Sequence, residues 1–271
     1  MLFESPHVRV TAEYGVGTLW LAFPGAPVNA LDAARLSELS AALAAVERDP
    51  FLSALVVRSA KPAGFCAGLH PSVANVSDRI AFAAHGQRVL ARLAAVPFVT
   101  VAFIDGPCLD AGFELALACD HRLCVATPTT HLGFPSRVTG FGGGPRLRKL
   151  LGRKAAALVE SGRTLSGREA LALGLVDRAF SARRAKIELR TFLDELERRP
   201  RVPVRAHDDN GFAQERAAFA QIDRAQRVAS TPTDVATLLS RGFITPLEAE
   251  QMLALAKPQA AGPSDTIRRA A

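Results

Sequence analysis

The stretch with the clearest chemical potential is residues 106–120, which read GPCLDAGFELALACD. The apolar segment VTVAFID at residues 99–105 precedes it, so the pattern predicts a buried strand, a tight bend at residues 110–112 and a helix. The first N–H groups of a helix lack partners within the helix. An oxyanion placed against Ala111 and Gly112 would therefore be stabilised by backbone donors, without a cationic side chain.

Two carboxylates accompany this bend, and each has two readings. Glu114 falls in the first helical turn, where it either transfers protons or only complements the helix dipole. Asp110 stands immediately before the helix, where it either takes part in catalysis or only caps the first N–H groups. The residues of this stretch do not separate these alternatives.

A second turn supplies a possible partner for the first. Residues 53–72 read SALVVRSAKPAGFCAGLHPS, in which a short apolar strand ends and the small-residue turn FCAGL follows. Taken together, FCAGLH and GPCLDAGFELALACD resemble the paired motifs of the crotonase (enoyl-CoA hydratase/isomerase) superfamily. The resemblance covers roughly residues 8–200 and includes five further segments: PVNALD at 27–32, VPFVTVAFIDG at 96–106, LGFPS at 132–136, GGGPRLRKLLG at 142–152 and SGREALALGLVDRAF at 166–180.

The resemblance implies a fold, a substrate class and a set of site residues. It implies an α/β fold, with a crotonase-like ββα spiral core at residues 1–199 and a helical oligomerisation or lid region at residues 200–271. The substrate would be an acyl-CoA thioester whose oxygen lies between the backbone N–H groups of Leu69 and Ala111. Coenzyme A would enter as part of the substrate, and no separate cofactor is expected. The substrate contacts implied are Ala67, Gly68, His70, Gly112, Phe134 and Ser136.

This chain departs from the family pattern at the residues that would do the chemistry. Asp110 and Ala111 replace two of three glycines, and an alanine fits there only if its φ is negative. Glu114 matches one of the two hydratase carboxylates, but Ser136 occupies the position of the other and cannot act as a carboxylate base. His70 and His131 are nearby candidates for a compensating role, because histidine titrates near neutral pH.

Three functional readings follow. The first is a crotonase-fold enzyme of enolate chemistry (hydration, dehydration or double-bond isomerisation), with Glu114 as acid/base and weak conventional hydratase activity. The second is a thioester hydrolase, decarboxylase or carbon–carbon lyase on the same fold, in which Glu114 or Asp110 handles a proton. The third is a non-catalytic protein that binds CoA esters or scaffolds a complex, because fold alone does not determine function.

Composition narrows the partners and the location. The formal charge is +7, and the 33 basic residues, of which only five are lysine, are scattered along the chain. Nucleic-acid binding is therefore not expected. A basic protein does suit the phosphate groups of coenzyme A. No apolar run approaches the ~20 residues of a membrane span and no signal pattern begins the chain, so a cytoplasmic protein without membrane contact is expected. The four cysteines form no CxxC pair and are predicted to be buried reduced thiols, with no metal site.

Hydrophobic periodicity and capping residues predict the elements that position these residues. Asp32 is the predicted N-cap of the first helix, Ser166 and Glu169 form a capping box, and the glycines at 142–144 receive no nucleotide role because they lack a P-loop ending. The predicted strands are 7–12, 17–23, 53–58, 99–104 and 122–126. The predicted helices are 33–46, 78–95, 113–119, 146–161 and 182–198, followed by shorter helices beyond residue 211.

The C-terminal helices carry many apolar positions for a solvated tail, which predicts a homotrimer or a hexamer built from two trimers. These positions are Phe192, Leu193, Leu196, Phe212, Phe219, Leu238 and Leu239.

Overall fold

The computed structural model describes residues 1–25, 27–70, 79–196 and residue 213. Within these residues the strands are β1 (Phe3–Glu4), β2 (Val8–Glu13), β3 (Val16–Leu21), β4 (Ala54–Ser59), β5 (Val99–Asp105), β6 (Cys108–Leu109), β7 (His121–Val125), β8 (His131–Gly133), β9 (Thr164–Ser166) and β10 (Arg178–Phe180). The α-helices are α1 (Ala33–Val46), α2 (Arg79–Ala95), α3 (Ala111–Leu117), α4 (Gly143–Leu151), α5 (Lys154–Ser161), α6 (Gly167–Ala172) and α7 (Ala185–Leu196), the last preceded by the 3-10 turn Ala182–Arg184.

A seven-stranded sheet in the order β1-β2-β3-β4-β5-β7-β10 organises the molecule. The first two pairings are antiparallel, and all those from β3 onward are parallel, because helices α1, α2 and α3 connect successive strands. A second, three-stranded sheet in the order β6-β8-β9 lies beside the predicted bend. It joins the bend to the loop that precedes α4, and this bears directly on the site.

Both faces of the large sheet are covered, so its central strands are apolar on both sides. Leu55 and Val57 of β4 belong to the main core, which they share with buried side chains of α1 and α2. Val56 and Val101 face the opposite side, where Phe192 of α7 packs with them. Leu193 and Leu196, which are among the positions predicted to pack in an oligomer, also pack on this second face and are partly buried there.

Most local predictions are confirmed, and the exceptions have local causes. The α1 helix has the predicted bounds and Asp32 caps it, while Ser166 and Glu169 form both bonds of the predicted capping box. The single helix predicted at 146–161 is wrong, because Gly152 adopts a φ of 57° and separates α4 from α5. The α3 helix begins two residues earlier than predicted, at Ala111.

Several predictions concern parts of the chain that the structure does not describe. The Ser77 or Asp78 cap of α2, the proline-bearing linker and the C-terminal helices beyond residue 211 lie outside the described residues, apart from residue 213. The domain boundary at residue 199 and the oligomeric state therefore stay predictions.

Candidate active site

The two predicted turns meet and are joined by backbone hydrogen bonds. The N–H groups of Phe65 and Cys66 both donate to the carbonyl of Pro107 at 3.0 Å, and the N–H of Leu109 donates to the carbonyl of Cys66 at 2.9 Å. Cys66 and Cys108 also face each other in an isolated parallel bridge. The turn after β4 is therefore fixed against the turn before α3, although about 40 residues separate them in the sequence.

Glycine is required where the turns touch. A Cβ atom on Gly112 would lie 2.1 Å from the carbonyl oxygen of Cys66, which no side chain can accommodate. Gly68 has a φ of 108°, and a Cβ there would lie 3.2 Å from the Cβ of Asp110. These two glycines, predicted as substrate contacts, thus have a packing role that brings the turns together.

The buried Asn29 holds the first turn in place. Its side-chain amide donates to the carbonyl oxygens of Leu21 and Phe65, and its side-chain oxygen accepts the N–H of Phe23. Its backbone carbonyl accepts the N–H of Ala67 at 2.8 Å. Asn29 belongs to the PVNALD segment, so the structure gives this segment a physical purpose: it ties the end of β3 to the turn.

The two N–H groups predicted to form an oxyanion hole lie on these joined turns. Among the described residues, neither the N–H of Leu69 nor that of Ala111 has a hydrogen-bond acceptor. Ala111 is the first residue of α3, and its φ is not positive, as an alanine at this position requires. Both donors are therefore available to a ligand, and their role in binding the thioester oxygen stays a prediction.

Glu114 is held by a loop that sequence reasoning did not connect to it. Its side chain is 3% exposed, and its carboxylate accepts the N–H groups of Gly140 at 3.0 Å and of Phe141 and Gly143 at 2.7 Å each. A Cβ on Gly143 would lie 2.6 Å from the Cγ of Glu114, so only glycine permits this approach. The glycine run at 142–144 was the available sequence signal, and its function is to wrap a carboxylate rather than a phosphate.

Asp110 does not cap α3, although it occupies the N-cap position. Its side chain makes no capping hydrogen bond, and its backbone has φ 46° and ψ −123°. A non-glycine residue in such a sparsely populated conformation costs about 1–3 kcal/mol. The capping alternative is therefore wrong, and the strain falls on Asp110 rather than on Ala111.

The Asp110 carboxylate instead contacts the residue at the vacated second-carboxylate position. Its Oδ1 accepts the hydroxyl of Ser136 at 2.6 Å and the backbone N–H of Ser136 at 3.1 Å. The N–H of Asp110 donates to the carbonyl of Gly133 at 2.8 Å, which fixes the bend to β8. The two most evident departures from the family pattern thus touch each other.

The other predicted site residues, His70, His131 and Phe134, differ in their burial and in their contacts. Burial lowers the pKa of the half-buried His70, the Arg35 guanidinium lowers it further, and Asp32 opposes both. His131 is exposed on β8. Phe134 is fully buried and packs on Phe113 with ring centroids 5.3 Å apart, so it has a role in the core, and its contact with a substrate stays a prediction.

Other kinds of site find no support in the described part of the chain. No group of three or more His, Cys, Asp and Glu side chains there is placed to hold a metal ion. No helix of the described residues is long and apolar enough to cross a membrane. All four cysteines are buried and free, as predicted.

Comparison with known proteins identifies the family. The model of the enoyl-CoA hydratase/isomerase family matches residues 12–250, so this chain belongs to that family. An enoyl-CoA hydratase structure from Geobacillus kaustophilus has a TM-score of 0.67 at 23% identity and covers 95% of this chain and 91% of that one. The enoyl-CoA hydratase from Thermoplasma volcanium has a TM-score of 0.66 at 22% identity, covering 93% and 91%. The predicted crotonase fold is therefore confirmed.

The chain is also similar to part of two curated proteins of fatty acid oxidation complexes. It is 39% identical over 170 residues to the fatty acid oxidation complex subunit alpha of Vibrio cholerae, which covers 58% of this chain and 24% of that protein. The corresponding subunit of Aliivibrio fischeri is 37% identical over 170 residues, covering 58% and 25%. The chain thus spans about a quarter of the length of these relatives.

Proposed function

We propose that this protein binds an acyl-CoA thioester where the two turns meet and catalyses enolate chemistry at the acyl α-carbon. The N–H groups of Leu69 and Ala111 would bind the thioester oxygen, and Glu114 would transfer a proton. The observation that carries the proposal is the pair of N–H groups that have no acceptor among the described residues, fixed on two turns that are joined by backbone hydrogen bonds.

The arrangement suits a reaction that passes through an oxyanion. When a thioester loses an α-proton or gains a nucleophile at its β-carbon, negative charge moves to the carbonyl oxygen. Backbone donors that are already fixed do not reorganise at that moment, and this is why they lower the barrier. Glu114 is equally fixed, because three N–H groups hold its carboxylate in a buried position.

The same observations bear on the competing functions. A non-catalytic protein that binds CoA esters is the second candidate, because the carboxylate of Glu114 has an evident structural task in holding residues 140–143. Hydrolysis, decarboxylation and carbon–carbon cleavage need the same oxyanion donors, so only product analysis separates them from hydration or isomerisation. The fatty acid oxidation relatives favour a fatty acyl-CoA substrate.

The proposal extends to assembly. A homotrimer or a hexamer of two trimers is proposed from the apolar positions of the C-terminal region, which lies beyond the described residues. Light scattering at micromolar concentration tests it, and a strictly monomeric protein would contradict it.

The test of function is exchange of the α-protons with solvent, since this reports enolate formation whatever the full reaction is. Butyryl-CoA is incubated with the protein in D2O and the deuterium content of the acyl group is followed by mass spectrometry, with crotonyl-CoA hydration assayed in parallel. We expect exchange to be catalysed and hydration to be slow. Wild-type protein that binds butyryl-CoA without exchanging its α-protons would identify the binding protein instead.

A single-donor variant then tests the oxyanion site. Ala111→Pro removes one N–H at the first position of a helix; because Asp110 before it is not in the extended conformation that precedes proline most easily, folding of the variant is first checked by circular dichroism. Loss of one such donor typically costs about 10²–10³-fold in rate, so exchange should fall by that factor. Ala33→Pro is the matched control, because the exposed Ala33 holds the same position in α1, and it should exchange at the wild-type rate.

A further inference from the structure

Asp110 and Ser136 form a hydrogen-bonded pair in which both residues depart from the family pattern. Position 136 holds a serine where the family resemblance places a carboxylate, and position 110 holds a carboxylate where it places a glycine. Two hydrogen bonds from Ser136, one from its hydroxyl and one from its N–H, hold Oδ1 of Asp110. The carboxylate missing from the loop is therefore present on the facing turn.

The backbone indicates that this side chain has a task. Asp110 adopts φ 46°, a conformation that glycine would reach without strain. It does not use this position to cap α3. Asp110 thus has a charged side chain at a strained backbone position, and Ser136, 26 positions away, holds that side chain. This combination indicates a role for the carboxylate itself.

Asp110 lies beside both proposed oxyanion donors. It directly precedes Ala111, and a Cβ on Gly68, the residue before Leu69, would lie 3.2 Å from the Cβ of Asp110 and 3.6 Å from its Oδ2. Asp110 is thus a neighbour of both proposed oxyanion donors. The α-carbon is bonded to the thioester carbonyl, so with the thioester oxygen on these donors it would be the reacting carbon closest to them and to Asp110. Glu114 lies one helical turn further along α3.

We propose that Asp110 is the base that takes the α-proton and that Ser136 is its positioning residue, so the second carboxylate of the site has moved from position 136 to position 110. This inference rests on the proposed function. The α C–H bond breaks, its proton passes to Oδ2 of Asp110, and its electron pair forms the enolate double bond as the carbonyl π pair moves to the thioester oxygen. Return of a proton from Asp110 restores the thioester, so no other reactant is consumed.

This step also resolves an electrostatic conflict. A carboxylate beside an oxyanion hole would oppose the negative charge that develops on the thioester oxygen. When Asp110 accepts the proton, however, it becomes neutral as the oxygen becomes negative. The total charge of the site stays constant through the step, and the two negative charges never coexist.

The experiment compares exchange of butyryl-CoA α-protons among variants that bind the ligand. Asp110→Asn should lower the exchange rate by about 10²–10⁴-fold, the usual contribution of one acid–base group, while the affinity for butyryl-CoA measured by calorimetry persists. Asp49→Asn, the same change in the loop after α1, is the matched control and should exchange normally. If wild type does not exchange, the proposed function fails together with this inference. If wild type and Asp110→Asn exchange equally, this inference alone is overturned.

Two further variants separate catalysis from loop anchoring. Ser136→Ala should lower kcat more than it raises KM and should shift the acid limb of the pH–rate profile to higher pH, because a donor to the carboxylate is lost. A role confined to anchoring the loop would leave the pH profile unmoved. Asp110→Gly should not exchange the α-protons. The double variant Asp110→Gly with Ser136→Glu should exchange them at least tenfold faster than Asp110→Gly alone. If this double variant is folded and binds butyryl-CoA but does not regain α-proton exchange, the proposal that the carboxylate has moved from position 136 to position 110 is contradicted.

Discussion

Replacing Glu114 by glutamine should destabilise the folded protein substantially, independently of any effect on activity. The carboxylate is the acceptor for three backbone N–H groups of residues 140–143, and it is almost fully buried. Glutamine has the same shape but offers one acceptor oxygen and one donor NH2 group. With its oxygen in the place of Oε2, it keeps the bonds from Phe141 and Gly143 and the 3.2 Å bond from Gly140, but it turns its NH2 group toward the Gly140 N–H that now donates to Oε1 at 3.0 Å.

The magnitude follows from these three bonds. A hydrogen bond to a charged acceptor contributes about 1.5–3 kcal/mol and one to a neutral acceptor about 0.5–1.5, so the two retained bonds lose about 2–3 kcal/mol together. The shorter bond from Gly140 is lost and its buried N–H then lies against another donor, which costs about 1–3 kcal/mol more. The free energy of unfolding should therefore fall by about 3–6 kcal/mol, and Tm by about 10 °C.

Urea unfolding followed by circular dichroism measures this difference. Glu160→Gln, the same change at an exposed position of α5, is the matched control and should leave the unfolding midpoint unchanged. A Glu114→Gln variant within about 1 kcal/mol of wild type would refute the hydrogen-bond assignment. Because the variant is expected to be less stable, its exchange activity has meaning only below its own unfolding temperature.

Three other predictions test the structure away from proton transfer. Burial raises the pKa of Asp177, but hydrogen bonds from His121 and from the Arg122 N–H outweigh it and hold the pKa below its usual value. The stability that the Asp177 carboxylate contributes is complete above its unfolded-state pKa of about 4 and is lost as the pH falls through its lower folded-state pKa. The difference in unfolding free energy between wild type and Asp177→Asn, measured by urea titration, should therefore shrink from about pH 5 to about pH 2. Burial raises the pKa of the Cys66 thiol to about 12, and since all four cysteines are buried, native protein at about pH 8 should not react with Ellman's reagent until it is unfolded. Gly112→Ala should prevent the two turns from meeting and abolish butyryl-CoA binding in calorimetry, because its Cβ would overlap the Cys66 carbonyl; normal binding would contradict the packing described here.

Sequence alone determined the features that depend on neighbouring residues. The cap at Asp32, the capping box at Ser166, the buried strand at 99–105 and the turn before Glu114 all follow from short-range patterns of apolar, capping and turn residues. The paired motifs also placed the chain in its family, because two turns in the right order are more specific than either alone. Burial of the thiols followed from their apolar surroundings.

Only the tertiary structure decided which of these residues touch. The carboxylate of Asp110 meets Ser136 across 26 positions, and Glu114 meets Gly140 across the same separation. Both contacts depend on the pairing of β6 with β8, which brings the loop after β8 back over the start of α3. A local pattern carries no information about such a pairing, since it is set by sheet register and by the closure of the intervening chain. For this reason the sequence presented Ser136 as the loss of a carboxylate, whereas the fold places another carboxylate against it.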